Sequence, residues 1–439
     1  MHIVCNMHIS PIFSREIQMS QSQTSHGQAS HDQTSQSHET IDYPLAYEGA
    51  LDAPGEWERL RQQCPVAGVA LPSGDHAKLL TRHQDVKGLL SDARFARPTA
   101  QDPAARIAPD GVGGSAVTGT SEQYTLPTTG EPHRQWRRQV SKWFTAKRMS
   151  ALRPGMAATA EGLVDAMVAH GQPADLKAEF GFLLPVYVIC DMLGVPADDH
   201  HRFSHWSDAM LSITRFTQEE IDRAHTEFVD YMSGHIAAKR AHPAEDLISM
   251  LIKDSDGEGT GLTDDELVAT SMGLLVAGHE TTANMIGKMV AMLLVDRRRW
   301  EELLEDPALV RTAVEEALRF DTNLGFGMRR FLTEDVEIDG ETLPSGTTVI
   351  CSQSAANRDA SVFEDPDVMD LARSPNPHLI FGAGPHSCLG QALARTELQV
   401  ALEVLLRKLP TLELAVPADD LDRVEGLLVG GLQRVPVRW

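Results

Sequence analysis

No apolar run in this 439-residue chain approaches the ~20 residues that a membrane-spanning helix needs, so nothing in it reads as a bilayer anchor. Cysteine is scarce. Cys5, Cys64, Cys190, Cys351 and Cys388 lie far apart, with no CxxC pair and no short spacing suited to zinc. An odd count without a secretory signal argues against a disulfide framework and for the reducing cytoplasm. Basic charge is in deficit: 39 lysines and arginines against 62 acidic residues leave a formal net charge of −23, which favours solubility and argues against a nucleic-acid partner. Phosphate-binding glycine loops are missing too. With no P-loop, no Gly-x-Gly-x-x-Gly between a strand and a helix, and no four-cysteine set for an iron–sulfur cluster, no fused reductase domain is expected.

What is present is one dense run, Phe381-Gly382-Ala383-Gly384-Pro385-His386-Ser387-Cys388-Leu389-Gly390. Gly382, Gly384 and Pro385 shape a turn of little bulk, in which backbone N–H groups can come close to a sulfur. Apolar positions at Leu389, Leu393, Val400 and Val404 then recur at helical spacing, which sets Cys388 at a helix N-terminus, where the macrodipole favours a thiolate. A lone cysteine is more often a small buried hydrophobe than a ligand. The ten-residue setting reverses that weighting. It resembles the haem-thiolate signature of the cytochrome P450 family, Phe-Gly-x-Gly-x-His-x-Cys-x-Gly, at every specified position. The resemblance implies haem b held through Cys388 as the iron ligand, with Phe381 and Gly382 in the loop around it and His386 against a propionate. A thiolate on haem iron favours O–O cleavage, the property a monooxygenase needs.

A second feature is a long helical pattern. Thr263-Asp-Asp-Glu266 is a capping box, and the pattern it opens runs to Arg297-Arg-Arg299, whose charges suit a helix C-terminus. At 1.5 Å per residue such a helix extends about 50 Å. Midway along it stand Ala277-Gly278-His279-Glu280-Thr281-Thr282. A mid-helix glycine costs ~1 kcal/mol relative to alanine, and an acid among apolar turns adds a desolvation cost, so something should offset both. Close packing at Gly278, with Glu280 satisfied by a neighbouring cation, is one account. The resemblance implies another, in which Ala277 and Gly278 leave room for oxygen over the haem and Glu280 with Thr281 is the acid–alcohol pair that relays protons to it.

Basic residues concentrate in one place. Glu131 to Met149 is a basic amphipathic pattern, and His133 and Arg137, four apart, share a helical face. They match the family's pair that holds one haem propionate, while Arg330, opening Arg330-Phe-Leu-Thr-Glu-Asp335, matches the arginine on the other; Arg329 competes for that role. Arg134, Arg138, Lys142, Lys147 and Arg148 are candidates for a docking face. Glu316 and Arg319, spaced i,i+3, would alone be an ordinary surface pair. The resemblance makes them a buried tie between their helix and the segment before the cysteine loop.

Residues 1–40, rich in Ser, Gln, Thr and His, read as a disordered polar tail, and residues 41–439 as a single large domain, mainly α with small β-sheets, in the cytochrome P450 fold that the motifs resemble. Helical patterns cover 57–64, 85–90, 156–168, 180–193, 203–213 and 221–238; strands are expected at 77–80, 336–338, 347–351 and 412–416. The weakly patterned stretch 96–132 corresponds in the family to a loop over the substrate, and 200–228 to a lid pair. Phe203, Trp206, Met210, Ile213, Leu428 and Val429 are accordingly candidates to touch substrate, with core packing the competing role. The expected activity is hydroxylation or epoxidation of a hydrophobic small molecule in specialised metabolism, using O2 and NAD(P)H-derived electrons from a separate ferredoxin, by a monomer with no membrane partner. Oxidative C–C or C–N coupling or desaturation is the alternative within enzymes. A non-catalytic haem-binding sensor or carrier is the alternative outside them.

Overall fold

Apolar residues recur at helical spacing along most of the chain, and the computed structural model, which describes residues 40–95, 97–98, 102–107, 126–211, 216–258, 261–424 and 429–439, is built mainly of helices. In chain order these are α1 Glu56–Gln63, α2 His83–Ser91, α3 Gly130–Ser141, α4 Ala146–His170, α5 Leu183–Leu193, α6 His200–Leu211, α7 Gln218–Ala241, α8 Leu247–Glu258, α9 Asp264–Val295, α10 Arg297–Glu305, α11 Val310–Phe320, α12 Gln353–Ala356 and α13 Gln391–Lys408. The polar tail expected over 1–40 lies outside the described residues except for Thr40, as do Ile213, Leu428 and much of the stretch 96–132.

Helix α9 is the axis of the fold. Thr263 caps it with the reciprocal Glu266 bond that the sequence calls for. Every residue from Thr282 to Leu294 is buried, so this half is wrapped on all sides, by α5, α11 and α13 among others. The C-terminal boundary differs from the expectation. Asp296 leaves helical geometry and accepts from the Arg298 N–H, so Arg297 to Arg299 open α10 instead of closing α9. Arg299 still reaches back to the Met292 carbonyl at 2.7 Å. The basic pattern at 131–149 likewise divides into α3 and α4 about Lys142 to Thr145, because Thr145 is extended and its hydroxyl caps α4 through the Arg148 N–H.

Among the described residues three small sheets flank the helices. The five-stranded sheet runs β1 (Ile41–Asp42), β2 (Val66–Ala70), β3 (His76–Leu80), β8 (Thr348–Cys351), β5 (Met328–Phe331), with β3 and β8 parallel. A hairpin pairs β6 (Val336–Ile338) with β7 (Glu341–Leu343) about Asp339 and Gly340, both at positive φ. The third sheet joins β4 (Ala174–Asp175) and β9 (Glu413–Leu414) to β10 (Pro436–Arg438), a last strand that the sequence pattern does not announce.

Glu316 and Arg319 on α11 are both 0% exposed, and their bidentate bonds are 2.7 and 2.8 Å. Arg319 also donates to the carbonyls of Asn357, Pro366 and Val368, and Glu316 accepts from Arg373, Asn376 and the Asp370 N–H. Such an ion pair survives burial because every remaining donor and lone pair is used. It pins the segment leading into the cysteine loop.

Candidate active site

The loop before α13 is closed by its own backbone. Cys388 N–H donates to Phe381 O at 2.7 Å, and Gly382 N–H to Leu379 O at 2.8 Å. Gly382 and Gly384 have φ of 70° and 68°, a region open to glycine at no steric cost. At Gly384 a side chain is excluded twice over, since a Cβ would stand 2.6 Å from Ser91 Cα on α2. Phe381 is held by the Arg395 guanidinium over its ring, and Arg395 is fixed in turn by Glu315.

Cys388 is exposed although it sits between core elements, so its sulfur opens on an internal space. It precedes the first residue of α13 by three positions. Burial pushes the thiol pKa up; the Gly390 N–H bonded to the sulfur and the charges of Arg137, Arg97 and Arg395 oppose that without overcoming it. Desolvation thus opposes the stabilisation that a helix N-terminus offers a thiolate. A bound cation would be required to hold the sulfur ionised.

On α9, Ala277 and Thr281 are exposed while the residues around them are buried or half-buried, and being four apart they share one face. The Thr281 hydroxyl donates to Ala277 O at 2.8 Å. Gly278 faces elsewhere: a Cβ there would stand 3.0 Å from Ile189 Cδ1 on α5, so the room this glycine leaves admits a neighbouring helix. This contact matches the close packing at Gly278 that the sequence also allows. Glu280 is half-buried and acts on the Lys177 ammonium, which donates to Leu432 O at 2.6 Å.

Five cationic or titratable nitrogen side chains gather around the loop. His133 and His386 stack with ring centroids 4.4 Å apart. Arg137, on the same face of α3 as His133, donates through Nη2 to Ser387 O. Arg330 on β5 is 2% exposed, with Nη1 on Arg329 O and Nε lacking any partner. Arg329 projects from the opposite side of the strand to Ala105 O, which separates the two competing arginines. The fifth is Arg97, which approaches Met328 Sδ and acts on His133, His386 and Arg330. Sequence reasoning missed it. An arginine before Pro98, in a stretch without periodicity, carries no pattern that marks it.

Burial lowers the pKa of all five, and their mutual repulsion adds to the effect on His133, Arg330 and His386, the last driven down to about 4. Among the described residues no carboxylate is bonded to any of them. An unpaired buried cation such as Arg330 is costly, so the cluster is complementary to an anion that the described residues do not supply. A flat cofactor with two carboxylates and a thiolate-binding metal fits this site: guanidinium groups for the acids, Cys388 for the metal. The described residues hold no cluster of three or more metal-ligating side chains, consistent with a single protein ligand.

Phe203, Trp206 and Met210 are fully buried on α6, and the first two pack edge-on against Phe228 and Tyr231 of α7, so their role is to join those helices. Val429 is half-buried.

The family model described as Cytochrome P450 matches residues 201–427. Nocardicin C N-oxygenase of Nocardia uniformis subsp. tsuyamanensis is 42% identical over 91% of this chain and 99% of its own. Mycinamicin IV hydroxylase/epoxidase of Micromonospora griseorubida is 41% identical over 92% of this chain and all of its own. The solved structure of the mixed-function P450 MycG is similar with a TM-score of 0.83 at 41% identity, over 91% of this chain and 100% of that one. A structure described as the putative thioether synthase SgvP, which tailors griseoviridin, reaches the same TM-score at 36% identity, with the same two coverages.

Proposed function

This chain belongs to the cytochrome P450 family and is a haem-dependent monooxygenase, and from that premise we propose that it oxidises a hydrophobic small molecule of specialised metabolism, with Cys388 as the iron ligand. The observation that carries the assignment is the union of an exposed cysteine in a glycine-shaped loop with neighbouring arginines, Arg330 buried among them, that pair with no carboxylate of the described residues. Bound through a thiolate, haem b supplies activation of O2 with two electrons originating in NAD(P)H, so that one oxygen atom enters the substrate and the other leaves as water. Arg137 and Arg330 hold the propionates, with Arg97 as a third cation and the stacked His133 and His386 closing the same wall. Gly390 N–H steadies the Cys388 sulfur. On α9 the exposed Thr281 hydroxyl would hold a proton for the oxygen, and the neighbouring Glu280 carboxyl would replenish it.

Electrons come from a separate ferredoxin docking on the exposed basic residues of α3 and the start of α4. The patch is weaker than its composition implies. Arg134 and Arg138 both pair with Glu131, Lys142 pairs with Asp254, and Arg148 lies over the Trp143 ring, leaving Lys147 as the exposed cation without such a contact.

The kinship to an N-oxygenase, a hydroxylase/epoxidase and a thioether synthase supports oxidative bond formation as a second outcome of the same site. Three measurements test the reading. The reduced, CO-bound protein is expected to give the red-shifted Soret band of a thiolate-ligated haem, and a band typical of histidine ligation would refute Cys388. Product mass then distinguishes a gain of one oxygen from a loss of two hydrogens. In Thr281→Ala, haem binding is retained and reductant is diverted into peroxide; unchanged coupling to product would refute the proton role.

A further inference from the structure

Between Gly278 and Glu280 the central helix carries a histidine that the chemistry above leaves unused. His279 is 0% exposed, its Nδ1 lies 2.8 Å from Ser207 Oγ, and its ring meets Phe182 edge-on with centroids 4.2 Å apart. Ser207, also 0% exposed, belongs to α6. The next residue, Asp208, acts on the Lys177 ammonium that Glu280 also acts on. The contact between α6 and this turn of α9 is thus the direct bond of Ser207 to His279.

Helix α6 is itself firmly joined to α7. Phe203 and Trp206 pack on Phe228 and Tyr231, and Trp206 Nε1 donates to Glu227 at 3.1 Å. Any displacement of this pair is transmitted to position 279, because a buried polar bond cannot be drawn out without leaving two unsatisfied groups in a low-dielectric interior. Thr281 is bonded only within its own helix, and Gly278 presents no side chain.

We propose that His279 is a positioning residue, whose bond to Ser207 couples the seating of α6 to the turn bearing Glu280 and Thr281. The proton pair is then in order only while α6 is seated. This rests on the reading of Glu280 and Thr281 given above, and the two are separable. Peroxide diversion in Thr281→Ala tests that reading, whereas backbone exchange tests the coupling.

The experiment is hydrogen exchange on the haem-loaded protein, followed in peptides covering 275–283 and 285–294. Losing one such bond should speed exchange over 277–282 by about tenfold in Ser207→Ala while 285–294 keeps its protection. His279→Asn retains a polar atom at the position of Nδ1 and should exchange like the parent. Peroxide released per NAD(P)H oxidised should rise in Ser207→Ala and not in His279→Asn. Parent-like exchange in Ser207→Ala, equal acceleration along all of α9, or equal effects of the two variants would overturn the coupling. If Ser207→Ala does not retain haem, Ser207→Cys, of similar volume but with a much weaker bond, gives the same comparison.

Discussion

Arg330 stands in two opposite energetic relations to the protein, and replacing it with methionine should expose both. The side chain is 2% exposed, its Nε has no partner, and its one bond is to the neighbouring Arg329 carbonyl. Arg97 adds a like charge, and burial already holds the pKa of Arg330 down. With the haem carboxylate in place, a charge-assisted bond of this kind contributes about 2 kcal/mol. Loss of that amount corresponds to roughly 30-fold faster or weaker haem retention. In the haem-free chain the sign reverses, because the same substitution removes an unpaired buried cation; replacement of buried charge by an apolar group of similar volume stabilises by about 1–4 kcal/mol. The assay is transfer of haem to an excess of apomyoglobin, paired with urea unfolding of the haem-free chains. Arg330→Met should release haem faster and unfold at higher urea than the parent, while Arg329→Met, on the other face of β5, should leave haem release unchanged. Haem release from Arg330→Met at the parental rate, or from Arg329→Met at the faster one, would refute the assignment.

Three further expectations follow from particular contacts. Glu131→Gln frees Arg134 and Arg138, so haem reduction by an acidic ferredoxin should become faster and more salt-sensitive, and stopped-flow rates at several ionic strengths check this. Glu316→Ala strands Arg319 in the core and should cost about 3–5 kcal/mol, read as a lowered denaturant midpoint with loss of haem, whereas mutating the exposed Glu56 of the Arg59 pair should cost under about 1 kcal/mol. His279, driven by burial down to about 3 from an unfolded value near 6.5, is neutral in the fold and protonated on unfolding between those values. Stability should therefore fall as pH drops from 6.5 towards 3. His279→Asn should remove about one proton from that dependence, or ~1.4 kcal/mol per pH unit, measured as denaturant midpoints across the range.

The parts of this protein that could be read from its sequence are those whose physics is local. The loop at 381–390 declares itself through glycines that a turn demands, and the capping box at 263–266 through a bond between residues three apart. The boundaries at 142–145 and 296 were less visible, since Thr145 and Asp296 act as caps only because the chain turns there. Arg97, Ser207 and Lys177 belong to the site's surroundings through contacts with residues far along the chain, which no periodicity encodes. Gly278 shows the reverse failure. Its motif was plain, and only the nearness of Ile189 reveals which neighbour needs it small.

Gly384 fits against the backbone of Ser91, and the His83 N–H bonds Asp359, a partner 276 residues away in sequence. β3 is likewise paired with β8, Leu80 opposite Cys351. Contacts of such high sequence separation must bear a large loop-closure entropy before they stabilise anything, so they form late in folding. A growing chain leaves the ribosome with its N-terminal strands and α2 waiting for a partner that has not been synthesised. The cysteine loop consequently acquires its packed shape only when both ends of the domain have met. Chains cut short before α13 should be unable to retain haem however well their earlier helices fold.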